Sequence, residues 1–194
     1  MKELVFLLEE ESARAMLEGL LPRMLHASIH VRFITFEGKQ DLEKQLAKRI
    51  RGYLNPQARF LVLRDQDSAP DCVVVKRKLL MLCEGAGRQA VSLVRIACRE
   101  LESMYLADLQ ALEQALSLKG LARQQGNTKF RNPDRLESPS SELTKLTQGR
   151  YQKVGTSRLL GPYLDLTNGR SATFKNLVRG IQRLEAELVA LPEP

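Results

Sequence analysis

Tryptophan is absent from this 194-residue chain, aromatic residues make up only 5% of it, and histidine occurs twice. Cysteine is also scarce, since Cys72, Cys83 and Cys98 form an odd-numbered set without Cys-x-x-Cys spacing. Such a set argues against a disulfide framework and against a zinc site, and it is typical of reduced thiols inside the cell. We therefore expect a cytoplasmic protein.

Long hydrophobic runs and nucleotide-binding loops are missing as well. No stretch approaches the ~20 apolar residues of a membrane-spanning helix, so we expect no membrane partner. The apolar start of the chain runs directly into Glu9-Glu10-Glu11 and has no small-residue cleavage site, unlike a signal peptide. The chain contains no Walker A loop, so any dependence on ATP would have to come from a partner.

Positive charge is in excess, with 30 basic against 23 acidic residues and a formal net charge of +7. Lysine and arginine release counterions when they neutralise phosphates, so this balance permits an anionic partner such as nucleic acid. Many soluble proteins carry a similar charge for solubility alone. The charge therefore leaves both interpretations open.

Residues 1–118 show an alternation of short apolar strands and amphipathic helices. The spacing predicts strands over 4–8, 29–36, 60–63 and 90–97, and helices over 12–25, 41–53, 73–83 and 99–112. A strand-helix alternation of this kind is typical of α/β proteins. We expect a three-layer sandwich with a mostly parallel central sheet.

Residues 119–194 differ in character and are expected to form a helical extension packed on this core. The polar segment 120–139 is rich in Gly, Asn, Arg and Pro, which predicts a long loop. Short helices are predicted over 141–147, 156–164 and 171–191, the last of them capped by Asn168 or Ser171.

Acidic residues follow the predicted strands at equivalent places. Glu9 follows the first strand, Asp65 and Asp67 follow the third, and Glu100 and Glu102 follow the fourth. In parallel sheets these positions meet at one edge, where ligands bind. Carboxylates gathered there repel one another unless a cation such as Mg²⁺ or Mn²⁺ neutralises them. The alternative for each acid is a polar turn, a helix cap or a salt bridge.

The same residues carry a family resemblance. A glutamate that ends the first strand, followed by an apolar strand ending in Asp65-Gln66-Asp67, resembles the Toprim domain of topoisomerases, DnaG-type primases and overcoming-lysogenization-defect (OLD) nucleases. More narrowly, segments 62–67, 99–108, 151–155 and 168–174 look like the motifs of a Toprim-like bacterial family of unassigned function. The chain departs from the Toprim start at Glu10, where glycine is usual.

The resemblance implies a Mg²⁺- or Mn²⁺-dependent phosphodiesterase or nuclease. Glu9 and Asp65 would bind the metal directly, and a basic residue would offset the charge of the phosphate during cleavage. The ligand set that we expect comprises Glu9, Asp65, Asp67, Glu100 and Glu102. The catalytic set comprises Glu9, Asp65, Asp67 and Lys153, with Lys145, Arg131 and Lys76 as alternatives for the cation.

The resemblance also bears on partners. Members of that family are often encoded beside AAA or ABC-type ATPases in what look like anti-phage loci, which implies an ATPase partner. It further implies a nucleic-acid substrate, with DNA favoured over RNA although the sequence does not decide between them, and leaves room for a homo-oligomer. Because one fold hosts many functions, the alternative is a non-catalytic interaction or ligand-sensing subunit that docks on the ATPase.

Overall fold

A computed structural model describes residues 1–192, and the last two positions of the predicted extension lie outside the described residues. The strands are β1 (Glu3–Leu8), β2 (His30–Thr35), β3 (Ala58–Asp65) and β4 (Ser92–Ala97). They form one sheet in the order β2-β1-β3-β4, and every pair of neighbours in the described chain is parallel. The expected α/β sandwich is confirmed, with a sheet that is parallel throughout.

Helices surround this sheet and continue into the C-terminal third. They are α1 (Glu11–Leu20), α2 (Lys39–Arg51), α3 (Cys72–Gly85), α4 (Glu102–Leu106), α5 (Leu109–Ala115), α6 (Thr128–Arg131), α7 (Pro139–Leu146), α8 (Lys153–Leu160) and α9 (Ala172–Val189). Within residues 1–192, none of the helices combines the length and apolar character that crossing a membrane requires.

Both faces of the sheet are covered, which explains why its central strands read as continuous apolar runs. Phe6 and Leu8 of β1 point into one core, formed with α1, α4, α5, α8 and α9. Val5 and Leu7 point into the other, where Leu46 of α2 and Leu79 of α3 meet them. The sheet is therefore the middle of three layers.

The strand order changes direction between the neighbouring strands β1 and β3. From β1 the chain continues to β2 at one edge of the sheet, and from β3 it continues to β4 at the other edge. Diverging connections leave a crevice at the carboxyl ends of the two strands, where ligands bind in open α/β sheets. The fold thus places a crevice directly beside Glu9 and Asp65.

The C-terminal region packs on the same core as the sheet. Phe174 and Ile181 of α9 are buried in the cluster that contains Phe6 of β1. Ser171 caps α9 as expected, because its hydroxyl oxygen accepts a hydrogen bond from the N–H of Phe174 at 3.0 Å. The boundary near residue 118 stays a prediction.

The prediction of a long loop over 120–139 is wrong. The segment contains two 3₁₀ turns, Ala122–Gly126 and Pro133–Arg135, on either side of α6. Phe130 is buried in the core, and the carboxylate of Asp134 accepts hydrogen bonds from the Ser171 hydroxyl at 2.7 Å and the Thr173 N–H at 3.0 Å. Tertiary contacts order a segment whose apolar residues are too sparse to show a period.

Two predicted helices also differ from the observed ones, since one ends early and the other is divided. The helix predicted over 12–25 ends at Leu20, and Pro22 lies in a 3₁₀ turn, Leu21–Arg23. The helix predicted over 99–112 is divided into α4 and α5, because Asp108 caps α5 by accepting a hydrogen bond from the N–H of Ala111 at 3.0 Å. An aspartate cap inside an apolar run is a local stop that periodicity overlooks.

Candidate active site

Glu9 and Asp65 meet at the crevice between the two central strands. Glu9 is the first residue after β1, and Asp65 is the last residue of β3. The backbone N–H of Asp65 donates to Oε2 of Glu9 with an N···O distance of 3.0 Å. Parallel pairing of β1 with β3 therefore brings together the two acids that the sequence singled out as direct metal ligands.

Asp65 is the most crowded of these carboxyl groups, and only 9% of the residue is exposed. Burial raises the pKa of Asp65 well above its usual range, and the charges of Glu10, Glu102 and Glu9 raise it further. A hydrogen bond from the N–H of Leu101 acts in the opposite direction. A nearby cation would act in the same direction as this hydrogen bond and favour the ionised form of Asp65.

Glu9 is subject to a similar conflict. Burial raises the pKa of Glu9, the N–H of Asp65 lowers it, and the charges of Asp67 and Glu10 raise it again. The guanidinium of Arg64 lies 3.8 Å away, from Nε to Oε2 of Glu9, and offsets part of the negative charge. The raised pKa shows that this offset is incomplete.

Glu102 joins the cluster from the start of α4 and is 1% exposed. Burial raises the pKa of Glu102, while the Tyr151 hydroxyl, which donates to its Oε1, and the charge of Lys153 lower it. Burial and the Glu102 charge raise the pKa of Tyr151, so its phenol remains a donor. Tyr151 therefore holds the Glu102 carboxylate in place.

Lys153 provides a cation at this cluster, from the first residue of α8. Its Nζ lies 2.6 Å from Oε2 of Glu10, whose Oε1 accepts from the Ser12 hydroxyl at 2.8 Å. Burial alone would lower the pKa of Lys153, but Glu10, Glu102 and Asp65 raise it. The other three expected cations lie elsewhere. Lys145 pairs with Glu142, Arg131 donates a hydrogen bond to the carbonyl of Gly126, and Lys76 lines a cavity beside α9.

Glu10 was absent from the expected ligand set, yet its charge raises the pKa of Asp65 more than any other charge does. It stands where Toprim domains usually have glycine, and it forms the N-cap position of α1. The run Glu9-Glu10-Glu11 was its only signal in the sequence.

Asp67 and Glu100 lie at the rim rather than around Asp65. Oδ2 of Asp67 is 3.0 Å from Nζ of Lys39, and Oε2 of Glu100 accepts from the N–H of Ser140 at 2.6 Å. Together they line an open cleft of about 520 Å³, with Ser68, Arg99 and Glu137. Their roles as ligands stay predictions.

The loops that follow β3 and β4 are joined in a strained conformation. Asp67 and Arg99 adopt left-handed φ angles of 53° and 61°, which residues with a Cβ rarely do. The N–H of Asp67 donates to the carbonyl of Arg99 at 2.7 Å and holds the two loops together. Backbone strain of this kind clusters at functional sites.

The donor set fits an open magnesium site better than a closed cage. Within residues 1–192, no group of three or more His, Cys, Asp or Glu side chains is arranged to hold a metal ion. The negative charges of Glu9, Glu10 and Glu102 act on Asp65 instead. Mg²⁺ usually takes one or two protein carboxylates and completes its shell with water and substrate phosphates, which oxygen donors beside an open cleft allow.

Comparison with known proteins agrees with this architecture. No curated protein matches the chain. The C-terminal region of the Burkholderia pseudomallei OLD protein superimposes with a TM-score of 0.53 and 17% sequence identity, covering 95% of this chain and 98% of that one. At this identity the likeness concerns the fold, and it confirms the Toprim-like arrangement. The family described as Domain of unknown function (DUF4276) matches residues 8–182. That span includes all the candidate site residues and covers most of the chain, so the chain belongs to the DUF4276 family.

Proposed function

We propose that this protein is a Mg²⁺- or Mn²⁺-dependent phosphodiesterase of the Toprim type that cleaves nucleic acid, DNA rather than RNA, in the cytoplasm. The observation that carries the proposal is the carboxyl of Asp65, which lies at the crevice between β1 and β3 and has a pKa raised by burial and by the charges of three neighbouring acids. Titratable groups held at such perturbed pKa values cluster at functional sites. The likeness to the OLD C-terminal region supports the same chemistry.

Glu9 and Asp65 would bind the cation directly, because they come from the two strands that flank the crevice. Glu102 would add a further oxygen, and Asp67 and Glu100 would act from the rim. A bound divalent cation would stabilise charge on the phosphate and lower the pKa of an attacking water. The oxygen-only donor set is the one that Mg²⁺ prefers.

The remaining polar groups position the substrate and the acids. The Lys153 ammonium, shared with Glu10 in the free protein, would contact the phosphate and stabilise its developing negative charge. Tyr151 holds Glu102 through its hydroxyl. The cleft lined by Asp67, Arg99 and Glu100 would receive the nucleic-acid backbone, since Asp67 and Glu100 lie two residues along the chain from the buried Asp65 and Glu102.

We further propose that the protein is the effector subunit of an anti-phage defence system and works with an AAA or ABC-type ATPase. The support is the similarity of segments 62–67 and 99–108 to motifs of a family that is often encoded beside such ATPases. A net charge of +7 is compatible with the nucleic-acid substrate.

A cleavage assay with matched carboxamide variants tests the catalytic proposal. Purified protein is incubated with plasmid DNA or RNA and with Mg²⁺, Mn²⁺ or a chelator. We expect cation-dependent cleavage that Glu9→Gln and Asp65→Asn each reduce by roughly 100-fold or more, as loss of a group that stabilises the transition state does. Glu11→Gln is the control, since this exposed acid faces Arg14 at 3.6 Å and should cleave like wild type.

Cleavage that is unchanged in both Glu9→Gln and Asp65→Asn would remove these acids from catalysis. The same assay would be repeated with the proposed ATPase partner. If the wild-type protein remains inactive with the ATPase and both cations, the docking-subunit alternative becomes the better account.

A further inference from the structure

The outer edge of β2 is open along its length. Within the described chain, β2 pairs only with β1. The N–H of His30 donates to the carbonyl of Lys2, and that of Phe36 to the carbonyl of Leu8, both at 2.9 Å. Backbone direction alternates along a strand, so the N–H and C=O groups of Val31, Phe33 and Thr35 point away from β1. An unpaired edge of this kind is a template for another strand.

One face of this edge borders an apolar groove. Val31, which is 38% exposed, and Phe33 line a depression of about 380 Å³. The rest of its apolar lining comes from the segment between α1 and β2, through Leu21, Pro22, Leu25, Ala27 and Ile29, and Glu18 and His26 complete the lining. Side chains that an added strand directed to this face would meet a mostly apolar surface.

The other face of the same edge is basic. Arg32 and Ile34 of β2 line a second depression of about 360 Å³ with Lys48, Arg49 and Tyr53. The guanidinium of Arg32 lies 6.0 Å from the centre of the Tyr53 ring. No acidic side chain lines this depression in the described part of the chain. Asp41, whose charge interacts with Arg49, and Glu3, which contacts Tyr53, lie outside the lining and offset part of its positive charge.

We propose that β2 binds an extended segment of a partner protein in which apolar and acidic residues alternate, as an added strand of the sheet. Successive side chains of a strand point to opposite faces, so the apolar residues would enter the groove and the acidic ones would meet Arg32 and Arg49. The outward N–H and C=O groups of Val31, Phe33 and Thr35 would bond the backbone. The surface shares no residue with the candidate active site, so this inference does not depend on the nuclease proposal.

A second copy of the chain fits the same edge poorly. Antiparallel pairing of two β2 strands about a two-fold axis keeps each face on the same side of the joined sheet. Arg32, Lys48 and Arg49 of one copy would then approach the same cations of the other. Like charges opposed across strands are destabilising, whereas an acidic strand removes the conflict.

Peptide binding to the full-length protein tests the inference. The probe is a short synthetic peptide that alternates valine and glutamate and is capped at both ends, and the control peptide has lysine in place of glutamate. Isothermal titration should show binding of the glutamate peptide and not of the lysine peptide. Val31→Pro should weaken the binding at least ~10-fold, because it removes an outward N–H and leaves the β1 ladder intact.

Reversing the charge of the basic depression tests the same inference in the peptide-binding assay, even if Val31→Pro fails to fold. Arg32→Glu combined with Arg49→Glu changes two exposed side chains and should reverse the preference, so that the lysine peptide binds and the glutamate peptide does not. Arg123→Glu, an exposed change of the same charge in a 3₁₀ turn outside β2 and α2, should bind the glutamate peptide like wild type.

Several results would overturn the inference. The glutamate peptide could fail to bind, bind no better than the lysine peptide, or bind a folded Val31→Pro as tightly as wild type. Concentration-dependent dimerisation that Val31→Pro abolishes, without peptide binding, would assign the edge to a second copy. A single-stranded DNA that binds through Arg32 and Arg49 and displaces the peptide would make the basic depression a nucleic-acid surface.

Discussion

Burial and repulsion act on the same atoms at Asp65. The apolar run before it, from Phe60 to Leu63, fixes β3 in the middle of the sheet, and the short side chain at its end has little contact with bulk water. The charges of Glu10, Glu102 and Glu9 surround that side chain. In the absence of a cation, each negative charge at this place costs folding free energy.

This conflict predicts the pH dependence of stability. Because the folded-state pKa of Asp65 lies above the unfolded value, the folded state binds more protons between the two, and stability falls as the pH rises through that window. In chelator, wild-type protein should therefore melt at a higher temperature at about pH 5 than at about pH 8. Asp65→Asn should weaken this dependence, of which the raised pKa values of Glu9 and Glu102 retain a part, and should melt at least as high as wild type at the higher pH.

Divalent cations extend the experiment. Mn²⁺ should raise the melting temperature of wild type at the higher pH and leave Asp65→Asn unchanged, because the ion binds the folded state. Asp165→Asn is a control in which loss of a carboxylate has the opposite effect. Hydrogen bonds from Thr167 lower the pKa of Asp165, so its ionised form stabilises the fold and its removal should lower the melting temperature. An equal response to Mn²⁺ in Asp65→Asn and wild type would place the cation elsewhere.

Tyr151 gives a second prediction, for a donor rather than an acid. Tyr151→Phe leaves the buried Glu102 carboxylate without its hydroxyl partner, so the pKa of Glu102 should rise further. Loss of a hydrogen bond to a charged group should cost about 1–3 kcal/mol at neutral pH, and the loss should shrink in acid as Glu102 is protonated.

Urea unfolding across pH measures this effect. Tyr163→Phe removes a hydroxyl from a tyrosine that is 50% exposed and should leave stability unchanged. A loss in Tyr151→Phe that is the same at every pH would mean that the hydroxyl contributes through packing and not through the Glu102 charge.

The contact between α1 and α8 brings Lys153 to the acids. Gly161, directly after α8, packs against α1 so closely that a Cβ there would lie 2.3 Å from the carbonyl oxygen of Met16. At Gly19 of α1, a Cβ would lie 2.5 Å from Pro162. The two glycines allow close approach of the helices, and Lys153 and Glu10 pair at the N-terminal ends of the two helices.

Gly161→Ala should therefore destabilise the protein by about 1–3 kcal/mol, the usual cost of overpacking, and reduce cleavage by displacing Lys153. Gly155→Ala, inside α8, is the control, because the nearest atom to its added Cβ is 3.8 Å away. Alanine there should be neutral or stabilise by up to ~1 kcal/mol. Denaturant unfolding measures both, and a Gly161→Ala protein as stable as wild type would contradict the close contact.

Local sequence patterns predicted the strands and the acidic edge, because apolar runs and strand-end acids depend on neighbours along the chain. They missed the cap at Asp108 and the ordered segment around Phe130, which depend on single hydrogen bonds and on distant packing. Lys153 was a candidate only because of the family resemblance. Its ion pair with Glu10 joins residues 143 positions apart, a distance across which no periodicity carries information.

The whole molecule presents two surfaces on one sheet. The acids lie at the carboxyl ends of β1 and β3, whereas the open edge of β2 lies on the far side of β1, with Leu8 opposite Thr35. β1 pairs with both β2 and β3 and so lies between the two surfaces. They use different residues, so substitutions can separate them.

Separation of the two surfaces is the last prediction. Asp65→Asn should lose cleavage and still bind the glutamate peptide, because it only removes a charge at the crevice. Val31→Pro should cleave DNA like wild type and lose the peptide. In a host that carries the complete locus, both variants should lose protection against phage, measured as plating efficiency. Protection by Asp65→Asn would show that the acids are not needed for defence, whereas protection by Val31→Pro would show that defence does not need a partner at the β2 edge.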